Sequence, residues 1–147
     1  MENPSTDFAG FDRLASSLDA LSPLPEDCRL ARAAGVNLLV VIPEGTNATL
    51  TDLLVSELVQ PLVTWRPGER LVLPQASQTG TLILRDVGAL SLTDQRRLID
   101  WLERAAGQTQ VVSTTATPLM PLVQAGAFLA RLYYRLNTVC VDVSVTQ

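Results

Sequence analysis

Lysine and histidine are both absent from this 147-residue chain, and all eleven of its basic residues are arginine. Their absence removes Schiff-base chemistry, a histidine general base and any catalytic triad built on histidine. It also removes the lysine with which phosphate-binding loops hold a nucleotide. Much catalytic chemistry is therefore excluded before any motif is considered.

Cysteine, clustered positive charge and long apolar runs are scarce as well. Cys28 and Cys140 lie far apart in a chain without histidine, so neither a metal site nor a disulfide framework is indicated, and we expect two buried free thiols. The net charge of −4 argues against direct DNA binding. No apolar run approaches the roughly 20 residues that span a membrane, and the polar start at Met1 is not a signal peptide. We expect a cytoplasmic protein that does not act at a membrane.

The hydrophobic content of 47% is enough to bury one core, and the hydrophobic pattern alternates between strands and helices. The predicted strands are 37–42, 62–65, 81–84, 110–114 and 138–143. The predicted helices are 8–21, 26–34 closed by Gly35, 49–59, 91–105, and 118–135 with a break near Gly126. Residues 71–76 are ambiguous between a strand and a helix that contains a turn. Such alternation is typical of a mainly parallel α/β sheet with helices on both faces.

Two segments carry a resemblance to a known family. Residues 80–95, GTLILRDVGALSLTDQ, resemble the Walker B region GTLFLDEIGELPLxxQ of the AAA+ ATPase domain of sigma-54-dependent transcription activators. Residues 124–137, QAGAFLARLYYRLN, are similar to the EGRFREDLYYRLN segment of the same family. The resemblance covers about residues 30–143. It implies a P-loop NTPase-like, three-layer αβα sandwich for residues 30–147, preceded by a helical extension over residues 1–29.

The segment at the position of the family's P-loop departs from the pattern GExGTGKE. It is one residue shorter, Asn47 replaces a glycine, and Ala48 stands at the position of the lysine. A P-loop holds phosphates through successive backbone N–H groups and one ammonium group, so both parts are weakened. The resemblance implies a vestigial and weak nucleotide-binding loop, made of Glu44, Gly45, Thr46, Asn47, Ala48 and Thr49. Thr49 is better explained as the N-cap of the following helix.

The Walker B acid pair is replaced by Arg85 and Asp86. The resemblance assigns the first position to a Mg²⁺ ligand, where an arginine would repel the metal. Ala116 stands where the family has a sensor asparagine. Glu44 and Asp86 both follow predicted strands; one interpretation is an acid–base pair or a metal site, and the more frequent outcome for such residues is solvated or ion-paired carboxylates.

Arg135 matches the second of the two arginines by which neighbouring subunits of the family complete each other's sites, whereas the first is Leu129 here. Arg135 is therefore either an arginine finger or, more often for a lone arginine, a surface or ion-paired residue. The family's GAFTGA loop has no counterpart, and the chain ends at Gln147 without a segment for the helical lid. These departures predict an α/β core without the lid.

Aromatic residues are candidates for contacts with partners. We expect Trp101 to be partly exposed on the helix at 91–105. Of Tyr133 and Tyr134, we expect one ring in the core and one at the surface. The overall prediction is a non-catalytic, regulatory interaction module without cofactors, which binds an intact sigma-54 activator or itself; the alternative is a residual ATP- and Mg²⁺-binding or ATPase domain.

Overall fold

A five-stranded parallel sheet forms the centre of the protein. The computed structural model describes residues 26–43, 58–75, 78–105 and 109–143. The sheet order is β2-β3-β4-β1-β5, and all four pairings are parallel. The predicted parallel α/β sheet is therefore confirmed. Its strands are β1 (Leu38–Val41), β2 (Leu62–Trp65), β3 (Gly80–Leu84), β4 (Thr109–Thr115) and β5 (Val139–Asp142).

Helices cover both faces of this sheet. They are α1 (Glu26–Ala34), α2 (Leu92–Ala105), α3 (Met120–Gln124) and α4 (Ala130–Leu136). Gly35 has φ 72° and ends α1, as predicted, because this left-handed backbone is inexpensive only for glycine. The predicted break near Gly126 separates α3 from α4, and Gly126 has φ 81°. The predicted helices at 8–21 and 49–59 lie outside the described residues, except for the last two residues of the second.

Alternation along the strands divides the core into two layers. Leu39, Leu82 and Val111 pack with α2 and α4 on one side, which we call the α2 face. Leu38, Ile83 and Val112 pack with α1 residues on the other side, the α1 face. Strands buried on both faces are the reason that the sequence shows continuous apolar runs and not an alternating pattern.

The ambiguous segment at 71–76 is described as far as residue 75, and this part forms neither a strand nor a helix. Leu71 is nevertheless buried on the α2 face, at 1% exposure. The segment is held by side chains of α2: Trp101 Nε1 donates to the Pro74 carbonyl oxygen at 2.7 Å, and Arg97 donates to that of Leu71 at 3.3 Å. Hydrogen bonds from side chains of α2 take the place of the backbone hydrogen bonds that a strand or a helix would have formed at 71–75.

Helix α1 runs across the predicted boundary between residues 29 and 30 and packs on β5 and β1. The division into an extension over 1–29 and a core over 30–147 stays a prediction. Within the described part of the chain, no helix is long and apolar enough to cross a membrane.

Candidate functional site

The carboxyl edge of the sheet is the place where an open parallel α/β sheet binds its ligands. At this edge, backbone hydrogen bonds between neighbouring segments continue past the ends of the strands. The Ile42 N–H donates to the Thr115 carbonyl oxygen at 2.8 Å, and the Arg85 N–H donates to that of Trp65 at 2.9 Å. These bonds fix the starting direction of each segment that leaves the edge. The predicted P-loop residues 44–49 lie outside the described residues, so the predicted approach of Glu44 to Asp86 stays untested.

Arg85 follows β3 directly. Since Ile83 lies on the α1 face and Leu84 on the α2 face, continued alternation places Arg85 on the α1 face. The residue is half-buried, and its Nε is buried without a hydrogen-bond acceptor among the residues that the structure describes. A positively charged group thus occupies the position at which the family resemblance places a metal-binding carboxylate.

Asp86 turns the chain away from the sheet. It has φ 54° and ψ 53°, a left-handed conformation that aspartate tolerates better than most residues. Its N–H donates to Thr114 Oγ1 at 3.3 Å, and its carbonyl oxygen accepts from the Ala89 N–H at 2.9 Å in a 3₁₀ turn over Val87–Ala89. The side chain is exposed. Among the described residues, no group of three or more His, Cys, Asp or Glu side chains could hold a metal ion.

The segment after β4 completes the described part of this edge. Thr115 Oγ1 donates to the Thr117 carbonyl oxygen at 2.7 Å, which folds the chain back after the strand. Ala116 has only a methyl group to present, so it cannot form the hydrogen bond of a sensor asparagine. Sequence reasoning missed Thr114, whose hydroxyl receives the Asp86 N–H. The signal was the hydroxyl-rich run at 113–115 at the end of a predicted strand.

Arg135 lies in the last turn of α4, and its Nη1 is 3.9 Å from Glu103 Oε2 on α2. Arg131, one turn earlier, forms a hydrogen-bonded ion pair with the same carboxylate oxygen. All three side chains are more than one-third exposed, so these ion pairs stabilise the fold little. This geometry agrees with the second interpretation of Arg135, a surface or ion-paired residue. A role as an arginine finger stays a prediction.

Gln95 links the segment after β3 to the loop before α4, which belongs to the second motif at residues 124–137. Sequence reasoning gave Gln95 no role. It is fully buried, and its Nε2 donates to the carbonyl oxygens of Leu90 at 2.9 Å and Ala127 at 3.0 Å. Its Oε1 accepts from the Leu129 N–H at 2.8 Å. The available signal was position: Gln95 precedes Leu98 by three residues and Leu102 by seven, which places a polar side chain on the apolar stripe of α2.

The prediction for Trp101 was wrong. The residue is 2% exposed and packs on the α2 face, where its Nε1–H reaches the 71–75 segment. An open cleft of about 380 Å³ lies beside it, between that segment and the Arg97, Asp100 and Arg104 side chains. The prediction for the tyrosine pair was correct, since Tyr133 packs partly against the core and Tyr134 is 63% exposed.

The two cysteines differ in environment. Neither forms a disulfide; Cys28 is buried, as predicted, but Cys140 is exposed on the edge strand β5, so the prediction for Cys140 was wrong. An edge strand has a neighbour on one side only, which the sequence of a strand does not reveal. Partial burial of the Cys140 thiol raises its pKa above the ordinary value, and the carboxylate of Asp142 raises it further.

A raised pKa makes Cys140 a slow nucleophile at neutral pH, because only the thiolate reacts. We expect alkylation by iodoacetamide to rise with pH to a midpoint above that of an unhindered thiol. D142N removes the smaller cause, so it is expected to lower the pKa and to accelerate the reaction at pH 8 by less than about tenfold, the equivalent of one pKa unit. Mass spectrometry of the modified chain measures the rate, and C140S identifies the site. A midpoint at or below the ordinary value would contradict this assignment.

Comparisons with known proteins agree with this geometry. Residues 21–145 match the model of the sigma-54 interaction domain family. No curated protein sequence matches the chain. Among solved structures, NtrX from Brucella abortus in complex with ADP aligns with a TM-score of 0.61 and 17% identity, over 91% of this chain and 40% of NtrX. The chain thus spans about two-fifths of the length of that relative.

Two further structures share the fold. The P-loop NTPase domain of a sigma-54 transport activator from E. coli aligns with a TM-score of 0.53 and 17% identity, over 74% of this chain and 97% of that domain. The Holliday junction branch migration motor RuvB from Thermotoga maritima gives 0.54 and 15% identity, over 89% and 44%. At these identities the structural likeness establishes the fold, and the family follows from the match over residues 21–145: this chain belongs to the sigma-54 interaction domain family, with an AAA+-type P-loop NTPase core.

Proposed function

We propose that this domain is a non-catalytic interaction module, regulatory in role, which has lost nucleotide chemistry and acts by binding other proteins. The observation that carries the proposal is the pair Arg85–Asp86 at the carboxyl edge of β3. Phosphoryl-transfer sites use carboxylates to hold the Mg²⁺ that neutralises phosphate charge. An arginine at the first position opposes the metal, and the exposed Asp86 has no second acid beside it in sequence.

Other features of the chain support the loss of catalysis. No lysine exists anywhere to replace the P-loop ammonium group, and Ala48 stands at its position. Ala116 cannot report on a γ-phosphate. Each departure falls on a group that ATP hydrolysis uses, whereas the apolar residues that build the sheet and its two packed faces remain. Such a pattern is expected when the fold is retained for its surface.

The partner that we propose is an intact sigma-54 activator or a second copy of this chain. The net charge of −4 and the all-arginine basic set without a dense cluster argue against direct DNA binding. We propose no resident cofactor, and we place the protein in the cytoplasm without a membrane role. Tyr134 is the contact residue that we would substitute first, because its aromatic ring is exposed. It lies on α4 between the two arginines that form exposed ion pairs with Glu103.

A second candidate is a residual ATP-binding or ATPase domain of a sigma-54-dependent regulator. The observation in its favour is the shared fold with NtrX from Brucella abortus in complex with ATP, at a TM-score of 0.63 and 16% identity. Weak binding through backbone N–H groups alone would suffice for this alternative.

The test is calorimetric titration of the chain with ATP and Mg²⁺ into the millimolar range, where binding of about −4 kcal/mol still registers. We expect no saturable heat, no rise of the melting temperature with ATP and no release of phosphate. A double variant, A48K/R85D, restores the two charges that the resemblance marks as lost and serves as the matched comparison. Saturable binding or hydrolysis by the unmodified chain would overturn the proposal.

The partner is tested separately, by mixing the chain with the ATPase domain of an intact sigma-54 activator. We expect a complex in analytical ultracentrifugation and a changed ATPase rate of the activator. Y134A is the surface variant, and V72A, which removes an equally exposed apolar side chain at 60% exposure, is its control. The interaction role would be contradicted if the chain forms no complex with the activator domain and does not associate with itself.

A further inference from the structure

The cleft of about 380 Å³ opens between the irregular segment at 71–75 and one side of helix α2. The charged side chains of Arg97, Asp100 and Arg104 line it, because residues three, four and seven positions apart share one side of a helix. The buried indole of Trp101 lines the same wall. Sites for small organic molecules are mostly apolar, whereas this wall is charged. The lining therefore indicates a polar, charged ligand.

Two of the three charged groups on this wall are exposed and unpaired. Neither Arg104 nor Asp100 forms an ion pair or a side-chain hydrogen bond with another residue that the structure describes. The third, Arg97, is 47% exposed, and its Nη1 donates to Asp94 Oδ1 at 3.1 Å and to the Leu71 carbonyl oxygen at 3.3 Å. These bonds hold the guanidinium in place, and its other N–H groups remain available to a ligand.

The two arginines mark two separate points for negative charge. At a rise of 1.5 Å per residue, the seven positions from Arg97 to Arg104 span roughly 10 Å along one side of α2. The bond to Asp94, one turn earlier in the helix, holds the Arg97 guanidinium away from Arg104. Asp100 lies between the two arginines and repels a continuous run of negative charge such as a polyphosphate. The wall thus fits two carboxylates that are joined by a neutral stretch with hydrogen-bond donors.

The opposite wall of the cleft is a stretch of irregular backbone. Leu73 lines the cleft, and neither its N–H nor its carbonyl oxygen is hydrogen-bonded to another described residue. Such groups bond to water or to a ligand, and an extended peptide supplies both a donor and an acceptor. A peptide in the polyproline II conformation has three residues per turn, so its first and fourth side chains lie on one side, about 9 Å apart. This spacing is close to that of the two arginines.

We propose that the cleft binds an extended acidic segment of a partner protein, in which two acidic side chains are separated by two neutral residues. Arg97 and Arg104 bind the two carboxylates, and Asp100 accepts a hydrogen bond from the neutral stretch. The proposal rests on the interaction role proposed above, and it names the chemistry of the partner segment. Because the charges are exposed, a short segment binds weakly and less tightly as the salt concentration rises.

The test is an NMR titration of the full chain at low salt, read at the indole N–H of Trp101. This group donates to the Pro74 carbonyl oxygen, and both residues line the cleft. The only other tryptophan, Trp65, does not line the cleft and is the internal reference, and W65F assigns the two signals. The probe is a capped tetrapeptide with glutamate at positions one and four and with alanine and serine between them. We expect a saturable shift of the Trp101 signal with a Kd of about 1 mM.

Variants and matched ligands identify the contacts. R104Q removes one cation without breaking a hydrogen bond of the described residues, and it should weaken peptide binding at least about fivefold. R96Q is the matched control, since Arg96 is exposed on α2 but does not line the cleft, and it should leave binding unchanged. A peptide with adjacent glutamates and suberate, a dicarboxylate without a peptide backbone, should both bind more weakly than the probe.

The proposal is overturned by a Trp101 signal that the probe does not shift, or by equal binding to R104Q. Equal binding of a peptide with glutamine in place of both glutamates would also overturn it. Suberate that binds as tightly as the probe would show a site for a small dicarboxylate instead. The ultracentrifugation experiment tests the interaction role by itself: a complex without a peptide shift overturns only the role of this cleft, and a peptide shift without a complex contradicts only the interaction role.

Discussion

Replacement of Gln95 by leucine is expected to lower the free energy of unfolding by about 3 to 5 kcal/mol. The side chain is fully buried and satisfies two carbonyl oxygens and the Leu129 N–H, which join the start of α2 to the loop before α4. Leucine is similar in volume but leaves these three backbone groups without a partner, at about 1 to 3 kcal/mol for each buried group. Urea denaturation followed by circular dichroism measures the change.

Gln124 provides the control for this substitution. It lies exposed at the end of α3 and makes no side-chain hydrogen bond in the described part of the chain, so Q124L is expected to change stability by less than about 0.5 kcal/mol. Q95E keeps the size and the acceptor but loses both donated bonds and buries a charge, so it should also destabilise the fold. A Q95L protein as stable as Q124L would show that the Gln95 bonds contribute little.

Replacement of Trp101 by alanine is expected to cost about 3 to 5 kcal/mol of stability, as for other large aromatic residues that are removed from a core. The indole is 2% exposed, and its N–H bond to Pro74 fixes the irregular segment at 71–75 over the α2 face. W101F keeps most of the apolar contact and loses this bond, so a cost of about 1 to 2 kcal/mol is expected. Denaturant melts of both variants give the two contributions.

Tyr134 supplies the matched aromatic control for this substitution. Its ring is 63% exposed, and Y134A should change stability by less than about 0.5 kcal/mol. The backbone NMR chemical shifts of Leu71 and Leu73 should change in W101A and stay unchanged in Y134A, because only the first variant releases the segment. Unchanged shifts in W101A would mean that Trp101 does not hold this segment.

The order of strands and helices could be predicted from the sequence, because apolar runs mark the strands, apolar stripes and end signals mark the helices, and both patterns are local. The apolar runs at 37–42 and 81–84 are typical of strands buried on both faces, and the structure has strands at Leu38–Val41 and Gly80–Leu84. The stripe of Leu98 and Leu102 marks α2, and the left-handed Gly35 marks the end of α1. A right-handed parallel α/β topology follows from this order with few alternatives.

The wrong predictions concern residues whose surroundings are formed by a distant part of the chain. Trp101 was predicted to be partly exposed because its position was read as near the polar side of the helix, opposite the stripe of Leu98 and Leu102, but the 71–75 segment covers it. Cys140 was predicted to be a buried thiol because neither a metal site nor a disulfide was indicated, but β5 is the edge of the sheet and Cys140 is exposed there. In both residues burial depends on what packs nearby, and no local periodicity reports this.

The sequence by itself determined which chemical groups this protein can use. The absence of lysine and histidine, the Arg85–Asp86 pair and Ala116 are facts of composition and order, and our proposal that nucleotide chemistry is lost rests on them. Only the tertiary structure decided that the buried Nε of Arg85 has no acceptor among the described residues, that Thr114 holds the turn at Asp86, and that Gln95 joins two distant segments. The physical reason is that hydrogen-bond partners and desolvation depend on residues far apart in the chain, which come together only when the sheet forms and its two faces are covered.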